Sequence, residues 1–225
     1  MGNKIALDGP SGTGKSTVAK LLSEKLSYLY VDTGAMFRAL GVYVISGGID
    51  PYDEDAVTAS LPDVSLSVEH MDDGQHVFVN GDDITGRLRT QKISDAASVI
   101  SRYKAVRDKV LAVERELGDS HDVIMDGRDI GTVIFPDAFL KIFMTADPKV
   151  RALRRYNQLK DLGTYNGETL SEIEAEIRER DDRDAKREVA PCVMAEDAVL
   201  IDTSAMTLQD VIERIAELYH ERTEK

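Results

Sequence analysis

The stretch DGPSGTGKST, residues 8–17, constrains the fold more than any other part of this chain. The apolar run before it predicts a short buried strand over residues 4–8, and the apolar spacing after it predicts a helix over residues 15–26. Glycines and small hydroxyl side chains between a strand and a helix let the backbone turn sharply and approach another group closely. The chain is therefore expected to begin with a strand, a glycine loop and a helix.

Four residues of this stretch, Gly9, Gly14, Lys15 and Ser16, fit the phosphate-loop pattern G-x-x-x-x-G-K-[ST]. In such a loop, backbone N–H groups surround an anion at a helix N-terminus, the lysine reaches the outer phosphates and the hydroxyl holds Mg²⁺. The alternative is a tight structural turn without a ligand. The flanking strand and helix favour a site for a nucleoside triphosphate.

Composition and charge narrow the class of protein. The chain has 225 residues, of which 42% are hydrophobic and 31% charged, and this suits one globular domain with insertions, residues 1–225. A net charge of −13 argues against a broad surface for nucleic acid or anionic membranes. There is no apolar run of roughly 20 residues, no visible leader, and a lone cysteine, Cys192. We therefore expect a cytoplasmic protein, by default a monomer.

Strand and helix patterns alternate along most of the chain. A helix is predicted over residues 35–45, and long charged helices are predicted between residues 148 and 188. Residues 61–90 differ, because their alternation and turn residues predict small antiparallel hairpins. Further strands are predicted at LYV (29–31), DVIMDG (122–127), FLKIFM (139–144) and AVLIDTS (198–204). The predicted fold is α/β, a three-layer parallel sheet with an inserted antiparallel β unit.

Three classes of protein use a phosphate loop in different ways. A GTPase switch needs a guanine-binding N-K-x-D tetrad, which the sequence lacks. A motor ATPase usually has an apolar strand that ends in paired acidic residues, whereas glycine and arginine follow the strand VIMD here. A small-molecule kinase needs cations around a second phosphate, and arginines near the predicted strand ends provide them. The sequence therefore favours a small-molecule kinase.

Two strand ends carry such cations. The segment VDTGAMFR places Thr33 at the start of a predicted helix and Arg38 one turn inside it. This pair fits either a second phosphate or an ordinary helix cap beside a surface arginine. The segment DGRD places Arg128 at another strand end, where it fits either a phosphate or a local ion pair.

The third candidate is the charged segment RERDDRDAKR. On a helix, its spacing places Arg180, Arg183, Asp184 and Arg187 on one face. Such a face is most often solvated, but in phosphate-loop kinases arginines on a mobile helix close over the transferring phosphoryl group. The phosphate loop in the same chain favours the second interpretation.

Six segments occur in the order, and at about the spacing, of bacterial cytidylate kinases: DGPSGTGKSTVAK, DTGAMFRA, LRTQKISDAAS, MDGRDIGTVIFPDA, RERDDRD and VAP. The chain resembles that family over nearly its whole length. The resemblance implies phosphoryl transfer from ATP, with Mg²⁺, to CMP or dCMP. It also implies a nucleoside-monophosphate-binding region at residues 33–118, which includes the inserted β unit 61–90, and a helical lid at residues 151–187.

The resemblance also implies roles for individual residues. It assigns the ATP phosphates to Gly9, Pro10, Ser11, Gly12, Thr13, Gly14, Lys15, Ser16 and Thr17, with the metal at Ser16. It assigns the acceptor phosphate to Thr33, Arg38, Arg128 and Arg187, the ribose to Arg180 and Asp184, and the base to Ser98, Arg107 and Asp129. The implied catalytic residues are Lys15, Arg128, Arg180 and Arg187.

The implied base contact agrees with hydrogen-bond chemistry. The exocyclic amine of cytosine donates a hydrogen bond that Asp129 can accept, whereas uracil has a carbonyl oxygen there. UMP is therefore predicted to be the poorer substrate. The closest alternative is a kinase of the same architecture that acts on UMP, AMP or a hydroxylated metabolite. From another class, the alternative is a nucleotide-dependent switch or binding module.

Overall fold

The structure is a computed structural model and describes residues 2–224. Residue contacts divide the chain into two compact units. The phosphate-loop unit comprises Asn3–Leu29 and residues 123–224, and the middle unit comprises Gly2 and Tyr30–Asp122. The predicted domain range 1–225 includes residues 1 and 225, which lie outside the described residues.

Residues 2–224 contain eight strands and eight α-helices. In chain order they are β1 (Lys4–Asp8), α1 (Lys15–Leu26), β2 (Leu29–Asp32), α2 (Thr33–Ser46), α3 (Glu54–Ser60), β3 (Leu66–Met71), β4 (Gly74–Val79), β5 (Asp82–Asp83), α4 (Gln91–Ile100), α5 (Lys104–Ser120), β6 (Val123–Asp126), β7 (Leu140–Thr145), α6 (Pro148–Asp161), α7 (Leu170–Lys186), β8 (Val199–Asp202) and α8 (Leu208–Thr223).

The main sheet has the strand order β2-β6-β1-β7-β8, so the first strand of the chain is central. β1 pairs in parallel with β6, where Ile5 lies opposite Ile124, and with β7, where Leu7 lies opposite Ile142. All residues of β1 are buried, as expected for a central strand that is covered on both faces. These pairings confirm the predicted α/β fold with a parallel sheet.

The charged region of the phosphate-loop unit forms a pair of packed helices, α6 and α7. Ala152 on α6 and Ile173 and Ile177 on α7 form its buried apolar cluster. A capping box of Thr169 and Glu172 begins α7, because each side chain accepts a hydrogen bond from the backbone of the other. The region for which the sequence predicts long charged helices therefore contains two helices, and their apolar sides face each other.

The middle unit contains the small antiparallel sheet. β3 pairs with β4, and β4 pairs with the two-residue strand β5. Helix α2 packs against β4 and closely against α4. A Cβ at Gly41 on α2 would lie 3.3 Å from the backbone nitrogen of Ala97 on α4, so glycine permits this close approach. The predicted antiparallel unit is confirmed.

Some local features differ from the sequence prediction. Helix α2 begins at Thr33, two residues before the predicted start, because the Asp32 side chain accepts a hydrogen bond from the Ala35 N–H at 2.9 Å and caps it. The short helix α3 and a π-helix at Ile130–Ile134 were not predicted. Within residues 2–224, no helix combines the length and the apolar character that crossing a membrane requires.

Candidate active site

The phosphate loop joins β1 to α1 in a conformation that requires glycine. Gly9, Gly12 and Gly14 have φ angles of +132°, +76° and +93°, which residues with a side chain rarely adopt. A Cβ at Gly9 would also lie 2.0 Å from the carbonyl oxygen of Met144. Gly14 is the N-cap of α1, so the loop ends at a helix N-terminus, where backbone N–H groups favour anions.

Lys15 and Ser16 begin α1 and carry the polar groups of the loop. The buried Lys15 ammonium donates to the carbonyl oxygen of Pro10 at 2.6 Å and to the Thr13 hydroxyl at 3.4 Å. Burial, with a further contribution from Arg128, lowers the pKa of Lys15 to about 7. The Ser16 hydroxyl donates to Oδ2 of Asp126 at 2.8 Å. The loop lysine and the loop hydroxyl thus lie where the pattern predicts them.

Arginine and carboxylate side chains alternate beside the loop. Arg128 donates through Nε to Oδ2 of Asp184 at 3.0 Å. Burial alone would raise the pKa of Asp184, but the charges of Arg128, Arg180 and Arg187 outweigh it and hold the pKa below its usual value. Asp184 is therefore ionised at neutral pH, with three guanidinium groups close enough to stabilise its charge.

The second pair joins Arg187 to Asp129. Nη2 of Arg187 lies 3.3 Å from Oδ1 of Asp129, and the two side chains are only 5% and 6% exposed. Shielding from water strengthens the interaction of each group with any nearby charge. Either group would therefore interact strongly with a ligand that displaced its partner.

The prediction that Arg180, Arg183, Asp184 and Arg187 share one helical face is wrong in two respects. α7 ends at Lys186, and Arg187 has extended backbone angles of φ −64° and ψ 143°. The chain turns there, and the Arg187 side chain donates to the carbonyl oxygen of Ala190. Arg183 is exposed to solvent. Arg187 therefore reaches the cluster from the turn after the helix, and Arg183 is outside it.

The middle unit contains the other predicted phosphate contacts. Thr33 is buried at the first position of α2. Nη2 of Arg38, one turn later, binds Oδ2 of Asp32 at 2.7 Å. A Cβ at Gly34 would lie 3.0 Å from Nη1 of Arg38, so glycine leaves room for this guanidinium group. The helix start thus combines a hydroxyl with a guanidinium group that lies close to the backbone of Gly34.

The two predicted base contacts of the middle unit, Ser98 on α4 and Arg107 on α5, both have a hydrogen bond to Ser101, the residue that follows α4. The Ser98 carbonyl oxygen accepts a hydrogen bond from the Ser101 hydroxyl at 3.0 Å, and Nη1 of Arg107 donates to the Ser101 carbonyl oxygen at 3.1 Å. The Arg107 guanidinium carbon lies 5.4 Å from the centre of the Phe37 ring, within the range of a cation–π interaction. The buried Arg107 side chain is thus held by the backbone of Ser101 and the ring of Phe37.

The predicted site residues therefore form two groups. One group, in the phosphate-loop unit, consists of residues 9–17, Arg128, Asp129, Arg180, Asp184 and Arg187. The other, in the middle unit, consists of Thr33, Arg38, Ser98 and Arg107. The ligand that each residue contacts remains a prediction.

Comparison with known proteins decides the family. The cytidylate kinase family model matches residues 5–221. The chain belongs to the cytidylate kinase family. It is 43% identical over 218 residues to the cytidylate kinase of Geobacillus kaustophilus, covering 97% of this chain and 96% of that one. It is 42% identical over 220 residues to the cytidylate kinase of Bacillus subtilis, covering 97% of both. The resemblance inferred from the six sequence segments is confirmed.

The fold also has a counterpart among solved structures. An uncharacterised protein of Eubacterium ventriosum superposes with a TM-score of 0.53 at 11% sequence identity, and the match covers 98% of this chain and 99% of that one. At this identity the likeness concerns the fold alone.

Sequence reasoning missed Asp8, a charged residue of this family member at the end of β1. Its buried carboxylate accepts hydrogen bonds from the N–H groups of Ile130 at 2.8 Å and Gly131 at 2.7 Å. Burial raises the pKa of Asp8 to about 6, against these two hydrogen bonds, and the charge of Asp129 adds to the increase. The sequence signal that could have identified Asp8 is its position, since a charged residue at the end of a buried strand directly precedes the first glycine of the loop.

Asp8 is expected to make stability depend on pH. Its pKa is about 6 in the folded protein, against 3.8 for an ordinary Asp. The stability that its proton contributes is therefore fully present below about pH 4 and is lost as the pH rises through 6. Urea unfolding should show that Asp8→Asn costs more at pH 4 than at pH 7, by on the order of 3 kcal/mol. An equal cost at both pH values would contradict this prediction.

Two arginines of α6 were also missed, and they brace the phosphate loop. Arg151 donates to the Ser11 carbonyl oxygen at 3.1 Å and forms an ion pair of 2.6 Å with Asp181 on α7. Nη1 of Arg154 lies 3.5 Å from the Thr13 carbonyl oxygen. The sequence did contain a signal for them, because both arginines lie in the first turns of a predicted helix that follows a predicted strand. The sequence analysis drew no conclusion from it.

Proposed function

We propose that this chain transfers the γ-phosphoryl group of ATP to CMP or dCMP, which yields ADP and CDP or dCDP. The observation that carries this proposal is the match to the cytidylate kinase family over residues 5–221. The phosphate loop that begins this range, and the shielded arginines beside it, provide the chemistry that the reaction requires. The product would enter pyrimidine nucleotide metabolism.

The transfer proceeds in line, without a covalent enzyme intermediate, because the acceptor phosphate is already an oxyanion and needs little general-base assistance. Lys15 stabilises charge on the ATP phosphates, and Arg128, Arg180 and Arg187 stabilise the charge that spreads over the transferring group. The ion pairs with Asp184 and Asp129 hold two of these cations in place before the acceptor binds. Phosphate oxygens then replace carboxylate oxygens as partners of the arginines.

The residues beside the loop fit a magnesium ion. The Ser16 hydroxyl and the Asp126 carboxylate are 2.8 Å apart, and Mg²⁺ prefers such oxygen ligands, usually only one or two from the protein. Residues 2–224 contain no cluster of three or more His, Cys, Asp or Glu side chains that could enclose a metal. Ser16 would hold the ion, with Asp126 beside it. A bound Mg²⁺ supplies positive charge to the ATP phosphates.

The base preference should depend on Asp129. Its carboxylate accepts a hydrogen bond from the amine of cytosine and would face the carbonyl oxygen of uracil unfavourably. Asp129→Ala is therefore expected to reduce the preference for CMP over UMP, in kcat/KM, by about tenfold or more. Asp129→Asn offers a donor to uracil and should shift the preference further. Asp137→Asn, at an exposed carboxylate, is the matched control, and an unchanged preference in Asp129→Ala would place the base contact elsewhere.

The function is tested by ADP release, in a coupled assay, with CMP, dCMP, UMP, AMP and shikimate as acceptors. The proposal predicts that CMP and dCMP give the highest kcat/KM. Higher activity with another acceptor would indicate a different kinase of the same architecture. A nucleotide-dependent switch or binding module would release ADP at the same rate with and without an acceptor.

We also propose that the enzyme works as a cytoplasmic monomer on small molecules, without nucleic acid or membrane partners. Its net charge of −13 and its single cysteine support this assignment. Light scattering at micromolar concentration should give the mass of one chain, 24.9 kDa. A mass of twice that value would contradict the monomer.

A further inference from the structure

The β3–β4 hairpin of the middle unit contacts the chain just before α2 through two side chains. β2 stands at one end of the strand order of the main sheet, so its outer edge has no strand partner among the described strands. His70 on β3 and Gln75 on β4 lie opposite each other in the hairpin register. Both side chains bind backbone atoms of this strand.

The amide of Gln75 binds both backbone polar groups of one residue. Its Oε1 accepts the Asp32 N–H at 2.8 Å, and its Nε2 donates to the Asp32 carbonyl oxygen at 3.1 Å. A neighbouring strand would satisfy an N–H and a C=O of the same residue in a similar way. Because the two bonds act on both sides of one Cα, they restrict the backbone rotations of Asp32.

His70 makes a parallel contact two residues earlier. Its Nε2 lies 2.8 Å from the Tyr30 carbonyl oxygen, which can only accept a hydrogen bond. Burial lowers the pKa of His70, so the ring is neutral at pH 7 and Nε2 carries the proton. The hairpin therefore satisfies three backbone groups of β2, and two of the three bonds belong to Gln75.

Asp32 transmits this restraint to the predicted acceptor site. Its carboxylate has two tasks, since one oxygen caps α2 at the Ala35 N–H and the other binds Arg38 at 2.7 Å. Rotation of the Asp32 backbone would move both oxygens together. The orientation of Arg38 and the start of α2 thus depend on the peptide groups that Gln75 holds.

We propose that Gln75 is a positioning residue for the acceptor phosphate: through Asp32 it fixes Arg38 and the first turn of α2. This inference rests on the proposed function, which places the phosphate of CMP at Thr33 and Arg38. It also gives the small antiparallel sheet a task in the reaction, because its β4 strand provides the side chain that orders the phosphate contact.

The first test compares Gln75→Met with His76→Asn. Methionine has a similar length but makes neither bond to Asp32, so the KM for CMP should rise about tenfold, while the KM for ATP stays within twofold of wild type. His76 is the next residue on β4 and points to the other face. Its two ring nitrogens lie 2.8 and 2.7 Å from carboxylate oxygens of Asp73 and Asp83, so its hydrogen bonds stay within the hairpin region. His76→Asn should therefore loosen the same hairpin without changing either KM.

Equal increases in both KM values, or the same CMP effect in His76→Asn, would mean that Gln75 only stabilises the fold. An unchanged KM for CMP in Gln75→Met would overturn the proposal directly. If Gln75→Met does not fold, Gln75→Glu provides the same comparison, because its carboxylate accepts the Asp32 N–H but cannot donate to the Asp32 carbonyl oxygen.

A second measurement tests the contact between Gln75 and Asp32 independently of enzyme turnover. Hydrogen exchange, followed by mass spectrometry on a peptide that spans residues 30–36, should be faster in Gln75→Met than in wild type and unchanged in His76→Asn. If wild type does not phosphorylate CMP, the proposed function fails, and faster exchange would still support the anchoring of Asp32. Unchanged exchange in Gln75→Met would refute that anchoring whatever the enzyme's substrate.

Discussion

Replacement of Lys15 by methionine is expected to lower kcat for phosphoryl transfer by about a thousandfold. Methionine keeps the length of the buried side chain but removes the charge that the ammonium group would offer to the ATP phosphates. The loop itself should persist, because its shape depends on the positive φ angles of Gly9, Gly12 and Gly14. Steady-state turnover at saturating ATP and CMP measures the effect.

Lys20→Met is the matched control for Lys15→Met, since Lys20 lies on the same helix with an exposed side chain. It should keep wild-type kcat. Thermal unfolding of both variants should show that neither has lost its fold. A kcat for Lys15→Met within tenfold of wild type would show that the ammonium group does not contact the reacting phosphates.

Arg128→Lys is expected to lower kcat/KM for CMP by about a hundredfold and to leave the KM for ATP within threefold of wild type. A guanidinium group can donate two parallel hydrogen bonds to a phosphate, whereas an ammonium group acts as a point charge. Lysine keeps a positive charge near Asp184, so the buried carboxylate retains all three of the cations that stabilise it. Initial rates over a matrix of CMP and ATP concentrations separate the two parameters.

Arg183→Lys is the matched control for this substitution. Arg183 is exposed on the neighbouring helix, and its replacement should change neither KM nor kcat. Comparable losses for CMP and ATP in Arg128→Lys would indicate that Arg128 supports the arrangement of the whole site. Wild-type kinetics in that variant would remove Arg128 from the acceptor contacts.

Local patterns were enough to predict much of the fold. The apolar run before Gly9 is strand β1, and the alternation of residues 61–90 predicts the antiparallel sheet that β3, β4 and β5 form. Such patterns report which side of an element is buried, and burial is the largest stabilising contribution to folding. Helix ends were less certain, as at Thr33, because a single capping side chain decides where a helix begins.

Several contacts of the site could not be read from local patterns. Asp8 binds N–H groups of residues 130 and 131, more than 120 positions later in the chain. Gln75 binds Asp32 across 43 positions. These hydrogen bonds join segments that meet only after the chain has folded. An Asp or a Gln in the sequence looks the same whether its side chain makes such a bond or is exposed to solvent. The turn that carries Arg187 out of α7 was missed for a related reason, since helical spacing continues in the sequence beyond the point where the helix ends.

The amino-acid sequence determined the phosphate loop, the parallel sheet and the family. The loop and the strands depend on residues that are close together in the sequence, through the backbone geometry at glycine and the periodicity of buried positions. Only the tertiary structure decided which carboxylate each arginine faces, that Asp8 is buried against the π-helix, and that Gln75 holds Asp32. Hydrogen bonds and ion pairs act over about 3 Å, so their partners are defined by positions in space that no single segment of the chain contains.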